Sequence, residues 1–232
     1  MKGSLYPLKL FLMTLGLVIG SLFLGGQSQS QVQIADANTE LPDFSTYYAG
    51  VDAMDAGDFD TAIRLFTESA EDGLEIAQYN LGVLYFSGRG VTQDFAQAFK
   101  WTRMAAEQGH TNAQYNLGTL YYNGLGVRSE IFKRWPLSLI YRKSDLQQAA
   151  SWYQQAAEND HGEAQYNLAS MYETGEGVKL DLIKSHVWAR LAQDNEVPDA
   201  TILLNRLQSG LSASQLDRAG REYAQWVLEH RG

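Results

Sequence analysis

The apolar positions of this chain recur with helical spacing inside a fourteen-residue segment that occurs three times. The copies read AQYNLGVLYFSGRG from Ala77, AQYNLGTLYYNGLG from Ala113 and AQYNLASMYETGEG from Ala164. In the first copy Ala77, Leu81 and Leu84 follow the i, i+4, i+7 spacing of one buried helical face. The pattern therefore predicts an amphipathic helix in every copy.

A second helix is predicted after the first in every unit. The first helix is expected to end at Gly88, Gly124 or Gly175, because glycine readily adopts the left-handed conformation of a C-cap. The second helix is expected to begin after an aspartate that accepts hydrogen bonds from its first backbone N–H groups. The recurring aspartates are Asp58, Asp94, Asp145 and Asp181.

The length of the unit indicates a repeat protein. The first two copies start 36 residues apart and the next two start 51 apart, so the middle unit holds 15 additional residues. Periods of this size are typical of solenoids, in which each unit buries its apolar face by stacking on its neighbours. The fold class predicted from the spacing is therefore all-α, built from stacked helix pairs.

The repeated residues resemble the Sel-one-like repeat (SLR) family, a relative of the tetratricopeptide repeat (TPR). The shared pattern is a small residue, Leu-Gly, Tyr and Gly-x-Gly-Val, then Asp, Ala, Trp and Ala-Ala, over roughly residues 44–200. The resemblance implies a right-handed α-α superhelix of antiparallel helix pairs that binds other proteins. The opening unit departs from the pattern, because its loop at Gly57 and Asp58 is shorter and more like that of an ordinary TPR.

The chain is predicted to have three parts. Residues 1–30 have the order of a secretory signal peptide, since Lys2 and Lys9 precede an apolar run and small and polar residues follow it. Residues 31–43 are a predicted linker. Residues 44–232 are the predicted solenoid, with units at about 44–76, 77–112, 113–163 and 164–199, an insertion at 129–144 and capping helices at 200–232. We expect a periplasmic or secreted monomer, with inner-membrane anchoring by an uncleaved N-terminal run as the alternative.

Composition and motifs narrow the chemistry. The formal net charge is −9, which argues against a nucleic-acid partner because phosphate backbones attract basic surfaces. The absence of cysteine excludes disulfides and thiolate ligands. The chain also lacks the HExxH, GxSxG, P-loop, SxxK and KTG patterns. We therefore expect no enzyme, cofactor or metal site, and the competing class is a periplasmic hydrolase of β-lactam or cell-wall type.

Two histidines occupy equivalent positions in the turns between units. They are His110 and His161. Equivalent turns of stacked helix pairs stand about 10 Å apart, so we do not expect the two side chains to converge on one metal ion. They are interpreted as exposed turn residues.

Candidate partner contacts form a stripe along the first helices. The stripe lies on a face rotated away from the buried leucines, and by similarity to TPR arrays it would line a concave groove. Its candidate residues are Tyr79, Phe86, Tyr115, Tyr122 and Tyr166. Aromatic side chains there are rigid anchors for a peptide or a partner helix. For the three tyrosines of the AQYNL motif, packing between adjacent units is an equally open interpretation, whereas the charged equivalent of Phe86 and Tyr122 in the next copy, Glu173, favours contact with a partner.

The insertion is the second candidate surface. Residues 129–144 read SEIFKRWPLSLIYRKS and combine four basic residues with one acid and seven apolar residues. So many apolar residues require a cover, either on their own repeat or from a partner. The candidates for contact with an acidic partner or an anionic membrane surface are Lys133, Arg134, Trp135, Tyr141 and Arg142.

The predicted function is that of an interaction scaffold or adaptor at the bacterial envelope. Its protein or peptide partner would bind through the concave groove, through the insertion or through both. An exported acidic chain without cysteine fits a bacterial envelope better than a secretome that is rich in disulfides.

Overall fold

The structure is a computed structural model that describes residues 44–127 and 138–232. These residues form ten α-helices and no strand. The helices are α1 Ser45–Asp55, α2 Phe59–Glu71, α3 Glu75–Ser87, α4 Phe95–Glu107, α5 Thr111–Asn123, α6 Ser138–Glu158, α7 Gly162–Thr174, α8 Leu182–Asp194, α9 Pro198–Gly210 and α10 Ala213–His230. The predicted signal peptide and linker lie outside the described residues.

Consecutive helices pack as pairs, and the pairs stack on one another. Within the pairs α1 packs on α2, α3 on α4, α5 on α6 and α7 on α8. The second helix of each pair also packs on the first helix of the next, so every unit shares its core with its neighbours. The all-α solenoid predicted from the sequence is confirmed.

Glycines end the first helices, as predicted. Gly88, Gly124 and Gly175 cap α3, α5 and α7 with φ of 69°, 65° and 75°. The second glycine of each loop has a different task. A side chain at Gly126 would collide with the backbone carbonyl of Phe95, so this loop lies directly on the start of α4 in the preceding unit.

Three of the four predicted aspartate caps are present. Asp94 accepts from the backbone of Ala96 and Gln97, at 2.8 and 3.1 Å. Asp181 caps α8 in the same way, and Asp58 caps α2 with one such bond. The prediction is wrong for Asp145, which is buried inside α6. The reason is that the end of the insertion is itself helical, so α6 begins seven residues earlier, at Ser138.

A buried glutamine, the second residue of the AQYNL motif, joins successive units. Its amide nitrogen donates to a backbone carbonyl near the end of the preceding second helix. Its amide oxygen accepts from a side chain that follows the second helix of its own unit. The three sets are Gln78 with Ala70 and Gln108, Gln114 with Ala106 and Asn159, and Gln165 with Ala157 and Asn195.

The last helix folds back onto the solenoid. Ser212 and Gln215 form a capping box at its start. Its apolar face, which includes the buried Ala219, packs against the core that α8 shares with its neighbours. At its end, the Arg231 guanidinium pairs with the Asp160 carboxylate in the turn between α6 and α7, at 2.6 Å.

Candidate partner-binding groove

The predicted stripe lines two adjoining cavities on the first helices. The apolar cavity, of about 390 Å³, lies between α3 and α5 and is lined by Tyr79, Val83, Phe86, Leu120 and their neighbours. The hydroxyl cavity, of about 330 Å³, lies between α5 and α7 and is lined by Tyr122, Tyr153, Asn167, Ser170, Glu176 and their neighbours. Tyr115 and Thr119 line both cavities, which therefore form one groove across three successive units.

The apolar cavity exposes large side chains to solvent. Val83 is 38% exposed and Phe86 is 41% exposed. The Phe86 ring meets the Phe95 ring edge-on, with the centroids 5.7 Å apart, so it is supported from α4 while one side remains accessible. None of the residues that line this cavity is charged.

Tyr79 and Tyr115 line the groove and also pack between adjacent units. Each lines the groove, and each ring also stacks on a histidine of the next unit, with the centroids 4.5 Å apart. The histidines are His110 for Tyr79 and His161 for Tyr115. The groove side of these tyrosines is therefore held in place by contacts between units.

The interpretation of the two histidines as exposed turn residues is wrong. His110 and His161 are half-buried, and each Nδ1 accepts a hydrogen bond at 3.2 Å from a backbone N–H in the first turn of the following helix. Burial lowers the pKa of both imidazoles. They act as helix caps, a role that the sequence analysis predicted only for aspartates.

Tyr122 is bound at the edge of the hydroxyl cavity by groups of its own chain. Its hydroxyl donates to the Glu176 carboxylate at 2.9 Å, and this bond raises the pKa of Tyr122. The Arg142 guanidinium lies 5.6 Å from the centroid of its ring and donates to its backbone carbonyl. The structure therefore brings a basic residue of the insertion to the groove.

The remaining candidates lie elsewhere. Tyr166 packs against Val197 and two alanines at the next contact between units, and it lines neither cavity. Glu173 forms an ion pair with Arg206 at 2.6 Å. Of the insertion, Lys133, Arg134, Trp135 and the Tyr141 side chain lie outside the described residues.

Metal-binding clusters and membrane spans are absent from residues 44–127 and 138–232. These residues contain no group of three or more histidine, aspartate or glutamate side chains placed to hold a metal ion. Among their helices, none combines the length and the apolar character that crossing a bilayer requires.

The stacked helix pairs and their groove define an α-helical repeat protein, and comparison with known families identifies the repeat. The Sel1 repeat matches residues 45–74, 76–110, 111–131, 139–161 and 162–194. These matches cover more than half of the sequence. The chain therefore belongs to the Sel1 repeat family, which confirms the resemblance drawn from the motif.

Two curated proteins are similar to this chain. One is an exopolysaccharide production negative regulator of Rhizobium meliloti (strain 1021), 28% identical over 194 residues that cover 83% of this chain and 71% of the relative. The other is the alginate biosynthesis protein AlgK of Azotobacter vinelandii, 33% identical over 87 residues that cover 35% of this chain. That match spans only 19% of AlgK.

Several solved structures share the fold, and two of them illustrate the similarity. One is c5321, a protective antigen of uropathogenic Escherichia coli with an SLR fold, which matches with a TM-score of 0.62 and 32% identity over 74% of this chain and 33% of that chain. The other is a Sel1 repeat protein from Oxalobacter formigenes, with a TM-score of 0.59 and 23% identity over 80% of this chain and 74% of that one. The second match bears on the fold alone.

Proposed function

We propose that this Sel1 repeat protein is an exported, non-catalytic scaffold that binds a protein partner in the groove of α3, α5 and α7. The observation that carries the proposal is the uncharged apolar cavity with the exposed Val83 and Phe86 side chains at its surface. A supported aromatic ring beside an apolar cavity is the kind of feature that forms the energetic centre of an interface. Tyr79, Tyr115 and Tyr122 would contribute to the same surface.

The differences between repeats support an interaction role. The motif keeps its leucine, its two loop glycines and its buried glutamine in all three copies, which maintains the stack. Two groove positions change instead, from Val83 to Thr119 to Ser170 and from Phe86 to Tyr122 to Glu173 in successive units. A surface that varies on a constant scaffold is suited to selecting a particular partner.

The names of the two curated relatives support a cellular process in which this scaffold would act. Their names refer to exopolysaccharide production and to alginate biosynthesis, so we propose a role in the production of extracellular polysaccharide at the bacterial envelope. The predicted signal peptide fits export to that compartment. Within the insertion, Arg142 and Lys143 line a third cavity of about 570 Å³ beside Lys179, and this basic region would add a second contact with an acidic partner.

Site-specific crosslinking tests the groove. A photoreactive phenylalanine in place of Phe86 should capture the partner in intact cells, whereas the same group at Ile202, which is 63% exposed and outside the groove, should not. Phe86→Ala should then weaken binding of the captured partner by about fivefold or more, because truncation of an interface anchor costs at least about 1 kcal/mol. The matched control Ile202→Ala should leave the affinity unchanged. Equal recovery of the same partner by Phe86→Ala and Ile202→Ala would contradict binding in this groove.

Fractionation tests export. The mature protein should occur in the soluble periplasmic fraction with an N-terminus near Gln29 or Gln31, as expected for cleavage after residue 28 or 30. Recovery of the full-length chain in the membrane fraction would instead support the anchored alternative.

A further inference from the structure

The hydroxyl cavity differs from the apolar cavity in the chemistry of its lining. Nine of its ten lining residues carry a side-chain hydroxyl, amide or carboxylate, and Met171 is the exception. The two cavities occupy equivalent places in successive units, so they can be compared position by position. The difference between the two linings therefore indicates which kind of ligand each cavity can bind.

Two of the changes between the units add a hydroxyl with little change of shape. Val83 is replaced by Thr119, and Phe86 is replaced by Tyr122. A third change replaces Thr102 of the apolar cavity with Tyr153 of the hydroxyl cavity. Hydroxyl oxygens that already donate within the protein, as those of Tyr122 and Ser170 do, can still accept a hydrogen bond from a ligand hydroxyl.

The floor of the hydroxyl cavity holds its polar atoms in fixed positions. Tyr153 is only 2% exposed, and its hydroxyl lies 3.1 Å from the Thr119 hydroxyl. The Asn167 side chain also hydrogen-bonds Tyr153, and burial raises the pKa of this phenol to about 12. The phenol therefore stays protonated. The Tyr115 ring lies beside it, with the centroids 5.9 Å apart, so aromatic rings and hydroxyls line the same cavity.

We propose that the hydroxyl cavity binds a neutral saccharide residue. A pyranose has C–H groups on its faces, which can lie against aromatic rings, and hydroxyls at its edge, which both donate and accept as the lining hydroxyls do. The volume is in the range of small-molecule sites. Glu176 is the one charged lining residue, and its carboxylate opposes acidic sugars and phosphates while accepting from neutral hydroxyls.

The saccharide site adjoins the apolar cavity in the same groove and shares Tyr115 and Thr119 with it, and it gives Tyr122 a second role beside the one proposed in partner binding. An apolar side chain of a peptide partner is better suited to the neighbouring cavity, where Val83 and Phe86 are exposed. The two sites therefore make separate predictions. Phe86→Ala should leave saccharide binding unchanged.

The test uses neutral and acidic oligosaccharides with the mature chain. Cellopentaose and chitopentaose, titrated by calorimetry or observed by saturation-transfer NMR, should bind, and an oligoguluronate of the same length should bind at least about fivefold more weakly. The double variant Tyr122→Phe/Ser170→Ala should weaken binding of the neutral sugars about thirtyfold, since it removes two hydrogen bonds that each contribute about 1 kcal/mol. Tyr79→Phe, a hydroxyl removal in the apolar cavity, is the matched control and should bind as the parent does.

Three results would overturn the proposal. They are no binding of either neutral oligosaccharide, tighter binding of the oligoguluronate, and equal binding by the double variant and the parent. If neither neutral sugar binds and Tyr122→Phe weakens the captured protein partner, the cavity belongs to the protein-binding groove instead. Circular dichroism of each variant confirms that the helices are retained.

Discussion

Replacing the buried Gln165 with leucine tests whether the glutamine of the repeated motif holds successive units together. Gln165 is fully buried. It donates to the Ala157 carbonyl at 3.2 Å and to the Asp160 carboxylate at 3.0 Å, and it accepts from the Asn195 amide at 2.9 Å. Leucine has a similar size but can make none of these bonds.

The expected magnitude follows from these contacts. Three hydrogen bonds at about 1 kcal/mol each give a loss of about 3 kcal/mol, and the greater apolar burial of leucine offsets about 1 kcal/mol of it. Gln165→Leu should therefore lower the free energy of unfolding by about 2 kcal/mol. For a folded region of this size, that corresponds to a decrease of about 4–8 °C in Tm.

The three copies of the glutamine provide an internal ranking. Gln78 makes two short bonds, at 3.0 and 2.8 Å, whereas those of Gln114 are long, at 3.5 and 3.3 Å. Substitution by leucine should therefore lower the free energy of unfolding most at Gln165, less at Gln78 and least at Gln114, because hydrogen bonds weaken beyond about 3.2 Å. The control Gln225→Leu changes an exposed glutamine and should have an effect within about 0.5 kcal/mol.

Thermal and urea unfolding, followed by circular dichroism, measure these differences. Unfolding of Gln165→Leu within about 1 °C of the parent would refute a stabilising role for the buried amide. A loss in Gln114→Leu as large as that in Gln165→Leu would refute the ranking, since the distances would then carry no information about the contribution of each bond.

Two further predictions concern packing and pH. Gly118→Ala should lower the free energy of unfolding, measured in urea, by about 1–3 kcal/mol, because the new Cβ would lie 2.7 Å from the Tyr153 ring. Gly220 has open space around it, so Gly220→Ala should raise the same free energy by about 0.5–1 kcal/mol. Equal effects of the two variants would contradict the packing argument. Burial lowers the pKa of His110 and His161, so their imidazoles bind a proton more readily in the unfolded chain than in the folded one. The two neutral histidines therefore contribute to stability above about pH 6.5, and this contribution is lost as the pH falls below that value. The double variant His110→Asn/His161→Asn keeps a capping acceptor that does not titrate, so its Tm should vary less between about pH 7.5 and 5; an unchanged slope would show that other groups are responsible.

Repetition made much of the fold predictable. Glycine stops and aspartate caps are local features, and each recurs in several units of the sequence, so every copy supports the assignment of the others. Asp145 departs from the pattern because helical residues of the insertion precede it, and the repeat pattern alone does not indicate that this segment is helical. The position of a cap therefore depends on its sequence context as well as on its register.

The contacts between units were harder to predict. The buried Gln165 stands beside Ala164, so its recurrence in register was a usable indication of a core position, but its partner Asn195 lies 30 residues further along the chain. His110 was also recognisable as a cap, since it stands three residues before Ala113 just as each aspartate precedes its first turn. The groove residues were found because they share one face of the repeated first helix, but their division into two cavities of different chemistry depends on which helices are neighbours.

The contact of Arg231 with Asp160 has a consequence for how the protein opens. In a linear array each unit is stabilised by its immediate neighbours, so unfolding can begin at an end and progress one repeat at a time. Arg231 instead ties the end of the chain to a turn with a whole unit between them, and Asp194 of that intermediate unit also pairs with the same guanidinium at 3.4 Å. Helices α6 to α10 should therefore exchange their amide hydrogens as one cooperative block, while the first units open separately and earlier.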